Sequence, residues 1–188
     1  MNAFKTLFKT KYALSEPAFN ILHSEMTEVN RKKGDFLIKE GEAHDFVYFI
    51  KEGALRSYYI NKDGKDVTLW FGFECDIAAS LSNFIESKPS LENLVFLEDS
   101  TLLKIKRSTL LNLFNSNLEL SIFGRKLAEI ALLEMEQQIL SIHFTDAKSR
   151  YLTLIEKFPH ILQRVNLGHI ASYLGITQVT LSRIRANN

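Results

Sequence analysis

The sequence has little of what several common functions require. It contains 1 cysteine, 3 prolines and 8 glycines in 188 residues. With Cys75 alone, the chain cannot make an internal disulfide, a four-cysteine zinc site or an iron-sulfur cluster ligated by its own cysteines. No window approaches about eighteen uncharged apolar residues, the length of a membrane-spanning helix. The amino end, MNAFKTLFKTKYAL, lacks the apolar run and cleavage site of a secretory signal, so we expect a cytoplasmic protein without a membrane partner.

Motifs for catalysis are also missing. The sequence has no H-E-x-x-H zinc pair, no phosphate-binding glycine loop and no nucleophile elbow. We therefore predict that the protein is not an enzyme and that it has no metal site and no cofactor. A redox role for Cys75 would require an exposed thiol with a low pKa, and the sequence establishes neither property.

The charges are unevenly distributed although the net charge is only +1. The segment 141–188 carries six basic and two acidic side chains, a net charge of +4. The first 140 residues carry 17 basic and 20 acidic side chains, a net charge of −3. A basic carboxyl end on a slightly acidic protein is suited to contact with phosphates.

The segment from about Met26 to Ile105 has the pattern of β structure. Short aromatic and β-branched runs alternate with turn signals, of which Asp63-Gly64 between SYYI and VTLW predicts a hairpin. The runs are FLI, FVYFI, LRSYYI, VTLWF and a closing strand within LEDSTLLKIK. This spacing predicts a compact antiparallel barrel or sandwich.

From Ser108 the apolar period becomes helical. Ser108 is expected to cap a short helix, and Asn117 starts a long one that runs to near Ile142. Leu120, Phe123, Leu127, Ile130, Leu133 and Ile139 are expected to form one apolar stripe of that helix. Further apolar residues widen the stripe, which indicates packing on the β domain and on a second subunit, with a doubly buried core helix as the alternative. A further helix, AKSRYLTLIEKF, is expected to stop before Pro159.

The stretch HIASYLGITQVTLSRIR predicts two crossed helices. Asn166 is expected to cap the first, Gly175 to allow the sharp break, and Thr177 to cap the second. Apolar residues fill the angle between the helices: Ile170, Leu174, Ile176, Leu181 and Ile184. The second helix keeps a polar, partly basic face, which is typical of a recognition helix and exceeds what a plain helical hairpin needs.

ASYLGITQVTLSRIR resembles the helix-turn-helix of the Crp/Fnr superfamily of bacterial transcription regulators, and GDFLIKEGEAHDFVYFIKEGALRSYY resembles the start of its cyclic-nucleotide-binding β-roll. The resemblance implies an α+β fold: an N-terminal antiparallel, jelly-roll-like β-roll (a double-stranded β-helix), a long dimerisation helix and a C-terminal helix-turn-helix. The expected domains are residues 1–115, 116–143 and 144–188.

The resemblance also implies the residues that bind DNA. It places Gln178, Val179 and Arg183 at base edges and Thr180 at phosphate, with Arg183 able to bind guanine through two hydrogen bonds. Val179 stands where glutamate is common, so the target sequence is expected to differ from the catabolite activator's. The full predicted DNA-binding set is Thr177, Gln178, Val179, Thr180, Ser182, Arg183 and Arg185.

Family members that bind cyclic AMP use a Gly-Glu pair for the ribose and an Arg-Ser pair for the phosphate. The corresponding stretch, WFGFECDIAASLSNFIESKPSLENLVF, has no arginine and an excess of carboxylates, so we predict that cyclic AMP is not the effector. An unidentified small-molecule effector stays open, with Phe73, Glu74, Asp76 and Lys88 as candidate pocket residues. The alternative is a roll filled by its own side chains, such as Phe73, Phe84 and Phe96.

These observations predict a homodimeric transcription regulator that binds double-stranded DNA at a pseudo-palindromic operator. The alternative is a cyclic-nucleotide-binding-like interaction module whose helical tail docks a protein partner. The helix-turn-helix spacing and the basic tail favour the regulator.

Overall fold

The computed structural model describes residues 2–187 as an amino-terminal helix pair, a two-sheet β-roll, one long helix and a small helical domain. The helix pair is α1 (Asn2–Tyr12) and α2 (Glu16–Ser24). The strands in order are β1 (Thr27–Arg31), β2 (Phe36–Ile38), β3 (Phe46–Glu52), β4 (Leu55–Ile60), β5 (Asp66–Gly72), β6 (Ile77–Ala78), β7 (Asn93–Phe96) and β8 (Ser100–Lys106). The helix α3 (Leu81–Glu86) lies between β6 and β7.

The carboxyl half is helical, as the change of period predicts. Its helices are α4 (Arg107–Ser116), α5 (Leu118–Phe144), α6 (Ala147–Lys157), α7 (Ile161–Arg164), α8 (Leu167–Tyr173) and α9 (Gln178–Ala186). The predicted antiparallel β-roll, long helix and carboxyl-terminal helix-turn-helix are therefore confirmed.

The two sheets have the strand orders β1-β8-β3-β6 and β2-β7-β4-β5, and their pairings are antiparallel. The run FVYFI in β3 explains how the first sheet is covered on both faces. Val47 and Phe49 pack against the helices, whereas Tyr48 and Ile50 point into the interior of the roll. An apolar run without polar alternation is what a strand buried on both faces requires.

The predicted hairpin at Asp63-Gly64 is confirmed. β4 and β5 pair from Leu55↔Gly72 to Ile60↔Asp66, and the turn lies between them. The side chain of Asn61 accepts hydrogen bonds from the amides of Asp63 and Lys65, both at 3.0 Å. Gly64 adopts a positive φ of 74°, which a glycine reaches at little cost.

We expect Gly53→Ala to destabilise the roll by about 2 kcal/mol or more, because it combines a forbidden backbone conformation with a clash. Gly53 has a φ of 115°, and a Cβ there would lie 2.5 Å from the Cβ of Ser100. Chemical denaturation of purified protein measures the effect. Gly64→Ala is the matched control, since that site is open and only backbone strain applies. Equal losses from both substitutions would contradict the steric argument.

The start of α4 differs from the prediction. The helix begins at Arg107 and Lys106 is its N-cap, so Ser108 lies inside the first turn and is not the cap. Strand β8 runs directly into the helix, and the amide of Arg107 donates to the carbonyl of Asp45 at 2.8 Å. This tertiary bond fixes the start of the helix where sequence offers no cap.

The apolar stripe predicted for α5 is buried in the single chain only in its amino-terminal part, so the alternative of a doubly buried core helix is wrong. Asn117 caps the helix as predicted, and Leu120 and Phe123 are buried against α1 and α2. Farther along, the helix leaves the roll. Its apolar residues there are exposed: Ile130, Leu132, Leu133, Met135, Ile139, Leu140, Ile142 and Phe144.

Cys75 lies in the turn between β5 and β6 and is covered by α1. The thiol is buried and contacts the carbonyl of Phe4, and the Tyr12 hydroxyl donates to the carbonyl of Cys75 at 2.8 Å. Burial raises the pKa of the thiol to about 11. A buried, protonated thiol is the opposite of what a redox switch requires, so the structure argues against that role.

Candidate nucleic-acid interface

The carboxyl-terminal helices form the helix-turn-helix through local signals that the sequence displays. Asn166 accepts a hydrogen bond from the amide of His169 at 2.9 Å and caps α8. Gly175 follows with a φ of 66°. Thr177 then accepts from the amide of Thr180 at 3.1 Å and caps α9. The predicted caps Asn166 and Thr177 and the predicted turn glycine Gly175 are confirmed. The caps bind free backbone amides at the helix starts, and the glycine adopts the positive φ that the turn requires.

The angle between α8 and α9 is filled by the predicted apolar residues. Ile170, Leu174 and Leu181 are buried, and Ile176 and Ile184 pack partly against them. The same cluster contains Tyr151 and Leu154 from α6. One face of α9 is therefore committed to this core, which leaves its opposite face free.

That opposite face carries the predicted DNA-contacting residues. Gln178, Val179, Ser182 and Arg183 line one open surface depression together with Ala186. The four share one side of α9, and Val179 is 62% exposed. Arg185 is exposed at the flank of this surface. Thr177 is exposed at the start of α9.

Thr180 is placed differently from the others. It is half-buried, and its hydroxyl lies 2.9 Å from the hydroxyl of Thr177. Since Thr177 also caps the helix, the two threonines form a small hydrogen-bonded unit at the start of α9. Thr180 therefore stabilises the helix start in the free protein, and a phosphate contact would compete with this bond.

Some basic side chains of the carboxyl end bind other groups of the protein itself. The Arg150 guanidinium donates from Nε to the carbonyl of Leu174 at 3.0 Å, and Arg164 binds two carboxylates of the β-roll. On α9 itself, Arg183 and Arg185 are exposed. The charge count of the segment therefore overstates the charge available to a phosphate backbone.

The four candidate pocket residues are not brought together in one cavity, which corrects that prediction. Phe73 packs on Phe158 of the helical domain, with ring centroids 5.1 Å apart, and Glu74 binds Arg164. Asp76 pairs with Lys11 of α1, and Lys88 pairs with Glu86 at the surface. The reason is topological: the β5–β6 turn that carries the first three lies at the outside of the roll.

The interior of the roll instead contains the half-buried carboxyl of Glu92. Glu92 interacts with the Ser57 hydroxyl and with Trp70. Ser57 lies opposite both Trp70 and Leu94 in the second sheet, on the face that packs into the interior. Burial raises the pKa of Glu92, although the bonds from Ser57 and Trp70 act in the other direction. Of the three aromatic side chains expected to fill the roll, Phe96 is in this interior, whereas Phe73 and Phe84 pack elsewhere.

We expect Glu92→Gln to stabilise the protein at neutral pH by roughly 1 kcal/mol, because an amide keeps hydrogen bonds but carries no charge to desolvate. The folded pKa of Glu92 lies above its unfolded value, so the free energy of unfolding falls as pH rises between them. Denaturation between about pH 5 and 8 should show this fall in the wild type and a smaller one in the variant.

Glu86→Gln is the matched control for Glu92→Gln, since Glu86 is an exposed carboxylate nearby. Equal pH slopes for the wild type and Glu92→Gln would contradict a pKa of Glu92 that is raised by burial.

The β-roll matches a known domain family, and the chain has a relative of known name. Residues 28–117 match the cyclic nucleotide-binding domain family. The chain is 29% identical over 97 residues to the anaerobic regulatory protein of Bacillus subtilis (strain 168). That alignment covers 52% of this chain and 41% of the Bacillus protein, so it spans less than half of the relative's length.

Solved structures resemble the whole architecture. FixK2 from Bradyrhizobium japonicum superposes with a TM-score of 0.73 at 25% identity, over 86% of this chain and 83% of that one. The c-di-GMP-responsive regulator CLP from Xanthomonas campestris gives 0.71 at 15% identity, over 92% and 91%. The catabolite activator protein of Thermus thermophilus gives 0.60 at 18% identity, over 93% and 83%.

A β-roll joined by one long helix to a helix-turn-helix is the architecture that this chain shares with these structures. Residues 28–117 therefore match the cyclic nucleotide-binding domain family, and the chain as a whole is similar to FixK2 in sequence and fold. The helices within residues 2–187 are all too short or too polar to span a lipid bilayer.

Proposed function

We propose that this chain is a homodimeric transcription regulator that binds a pseudo-palindromic DNA site through α9. The carrying observation is the free face of α9, on which Gln178, Val179, Ser182 and Arg183 lie side by side while Leu181 is fully buried. A helix fixed by its own core and open on its polar face has the form of a major-groove reader. Arg183 would bind guanine, Val179 would pack on a thymine methyl, and Arg185 would contact phosphate.

A dimer follows from the exposed apolar residues of α5. Ala128, Leu132, Met135, Ile139 and Ile142 recur at alternating spacings of four and three residues, which is the heptad pattern of a coiled coil. All five are exposed in the single chain. Water contact with such a seam is unfavourable, so we infer that a second copy covers it. Twofold pairing would set two copies of α9 about one DNA turn apart, roughly 34 Å.

The effector of the roll is not a cyclic nucleotide in this proposal. An anionic phosphate inside the roll would meet the half-buried carboxyl of Glu92 and would need donors that outweigh it. The one arginine of β4, Arg56, is turned to the other face of the sheet, where it binds Asp66 and Thr68. The roll would therefore act as a scaffold or respond to a ligand that tolerates a carboxyl.

The division into residues 1–115, 116–143 and 144–188 is retained as part of this proposal. The roll would sense, α5 would pair the subunits, and the last segment would read DNA. The family match ends at residue 117, next to the start of α5 at Leu118, which supports the first boundary.

The test is selection of binding sites from random duplex DNA with the full chain, followed by titration of the selected site at several salt concentrations. We expect an enriched inverted repeat whose affinity falls steeply with salt, because each neutralised phosphate releases counterions. The competing function is a helical tail that docks a protein. Absence of any enriched sequence, with salt-independent DNA binding, would favour that alternative over the regulator.

A further inference from the structure

Arg164 joins the helix-turn-helix domain to the end of the β-roll. It ends α7, two residues before the cap of α8, and its side chain reaches back to the roll. Nη1 and Nη2 donate to the two carboxylate oxygens of Glu74, both at 2.8 Å. Nε donates to Glu98 at 3.1 Å. A planar guanidinium that binds one carboxylate with two parallel bonds and a second with another has a fixed orientation.

Three turns of the roll meet at this point. Glu74 is in the β5–β6 turn and Glu98 is in the β7–β8 turn. Glu74 also accepts from the amide of Gly53, in the β3–β4 turn, at 2.9 Å. Burial alone would raise the pKa of Glu74, but Arg164 and the Gly53 amide outweigh it and hold that pKa below its usual range. Without Arg164, two carboxylates would face each other with no cation between them.

Apolar contacts lie beside this ion cluster. The Arg164 guanidinium stacks over the ring of Phe73 at 5.0 Å, and Phe73 contacts Phe158. Phe71 of β5 contacts Tyr173 of α8, with ring centroids 5.3 Å apart. These residues belong to one cluster that is continuous from the roll into the helical domain.

A second polar contact lies on β5. The amide of Thr68 donates to the Ser172 hydroxyl at 2.9 Å, and that hydroxyl donates to the carbonyl of Asp66 at 3.2 Å. The Thr68 hydroxyl donates to the carbonyl of His169 at 3.3 Å. Strand β5 is at the edge of its sheet, so α8 takes the place of a missing neighbour strand.

The helical domain is also attached to α5, through the chain connection at Thr145 and through contacts of Lys157 with Glu134 and of Gln138 with the carbonyl of Tyr173. Contacts at separate points fix the orientation of a rigid body, and the contacts of Arg164 and Ser172 with the roll leave the exposed face of α9 uncovered. We propose that Arg164, with Glu74 and Glu98, is a positioning group that sets the distance between the two recognition helices. It would thereby determine which half-site spacing the protein accepts. This inference rests on the proposed function.

The experiment is selection from a library of inverted repeats in which the half-site sequence is constant and the spacing varies base pair by base pair. We compare the wild type, Arg164→Gln, and the double variant Glu74→Gln/Glu98→Gln. The wild type should prefer one spacing. In both variants we expect that preference to fall by about tenfold, the change that one lost charge-assisted contact produces. Preference for the half-site bases should stay unchanged.

Two controls separate positioning from damage to the fold. Lys32→Gln removes a cation that pairs with Asp99, the residue after Glu98 in the same turn, and it leaves the bonds between Arg164 and Glu98 in place. Arg164→Lys keeps the positive charge but loses the planar guanidinium that binds Glu74 with two parallel bonds. It should therefore keep more of the spacing preference than Arg164→Gln and less than the wild type. Amide exchange at Thr68 gives a readout without DNA, because Ser172 protects that amide only while the domains are docked. We expect faster exchange in Arg164→Gln and no change in Lys32→Gln.

The outcomes distinguish the two claims. If the wild type selects no inverted repeat, the proposed function fails, and the positioning role fails with it. If the wild type selects a repeat and the folded Arg164→Gln protein keeps the same single spacing, only the positioning role is wrong. Loss of half-site base preference together with spacing would also contradict it, since that result means that α9 itself has been damaged.

Discussion

Leu132→Asp is expected to convert the dimer into monomers at micromolar concentration. Leu132 lies in the middle of the seam and is 70% exposed in the single chain, so the substitution leaves the fold of each subunit intact. In a dimer, two aspartates would face each other in an apolar interface, and each buried charge costs several kcal/mol. Sedimentation equilibrium measures the result, and circular dichroism checks that helix content is unchanged.

Leu133→Asp is the matched control for this effect. It makes the same change at the next residue, which is 53% exposed and lies about 100° around the helix from the seam. We expect Leu133→Asp to remain a dimer. Loss of dimers in this variant, with dimers retained in Leu132→Asp, would show that a different face of α5 pairs.

DNA affinity should follow the oligomeric state. In a dimer, binding of the second α9 to its half-site is intramolecular once the first has bound. This raises the affinity for DNA by about 10²- to 10⁴-fold. Leu132→Asp should lose that gain although its α9 is unaltered, whereas Leu133→Asp should bind the operator like the wild type.

Arg183→Ala is expected to remove discrimination at one base pair of each half-site, at a cost of about 1–3 kcal/mol per contact. The reason is that a guanidinium can bind guanine O6 and N7 with two hydrogen bonds, and Arg183 is exposed on the free face of α9. Titration against the selected operator and its single-base variants measures the effect.

Arg185→Ala provides the comparison, since Arg185 is an equally charged, exposed neighbour at the flank of the same face. It should weaken binding to all sequences about equally and reduce the salt dependence by about one phosphate contact. If Arg185→Ala relaxes base preference while Arg183→Ala does not, the two roles are exchanged.

The helix-turn-helix could be predicted residue by residue because its determinants are local. Asn166 and Thr177 each cap a helix three residues from the amide they bind, and Gly175 needs only its own backbone freedom. The β4–β5 hairpin is predictable for the same reason, since its turn is closed by Asn61 within five residues. Such signals are present in a single short window of sequence.

The junction between the domains could not be predicted in this way. Glu74 and Arg164 are 90 residues apart, and the position of Glu98 beside them depends on which turns of the roll meet at one end. In the sequence, Phe73 and Glu74 resemble the wall of a ligand pocket, and Arg164 resembles a cation for phosphate. Only the three-dimensional arrangement shows that these groups bind one another.

The point at which α5 extends beyond the roll also could not be predicted from the sequence. The same apolar spacing is expected where the helix packs on the roll and where it extends beyond the roll as an exposed seam. Only the position at which the roll ends distinguishes these two parts of the helix. The structure places that change after Leu127, which is partly buried, since Ile130 and the large apolar residues of α5 after it are exposed.

The bond between Ser172 and β5 also bears on aggregation. A free sheet edge presents unpaired amides and carbonyls that can recruit a strand from another molecule. Here the amide of Thr68 and the carbonyl of Asp66 are both occupied by one serine of α8. The helix-turn-helix domain thus shields the sheet from edge-to-edge pairing, so a roll deprived of this domain would be prone to stack with other copies of itself.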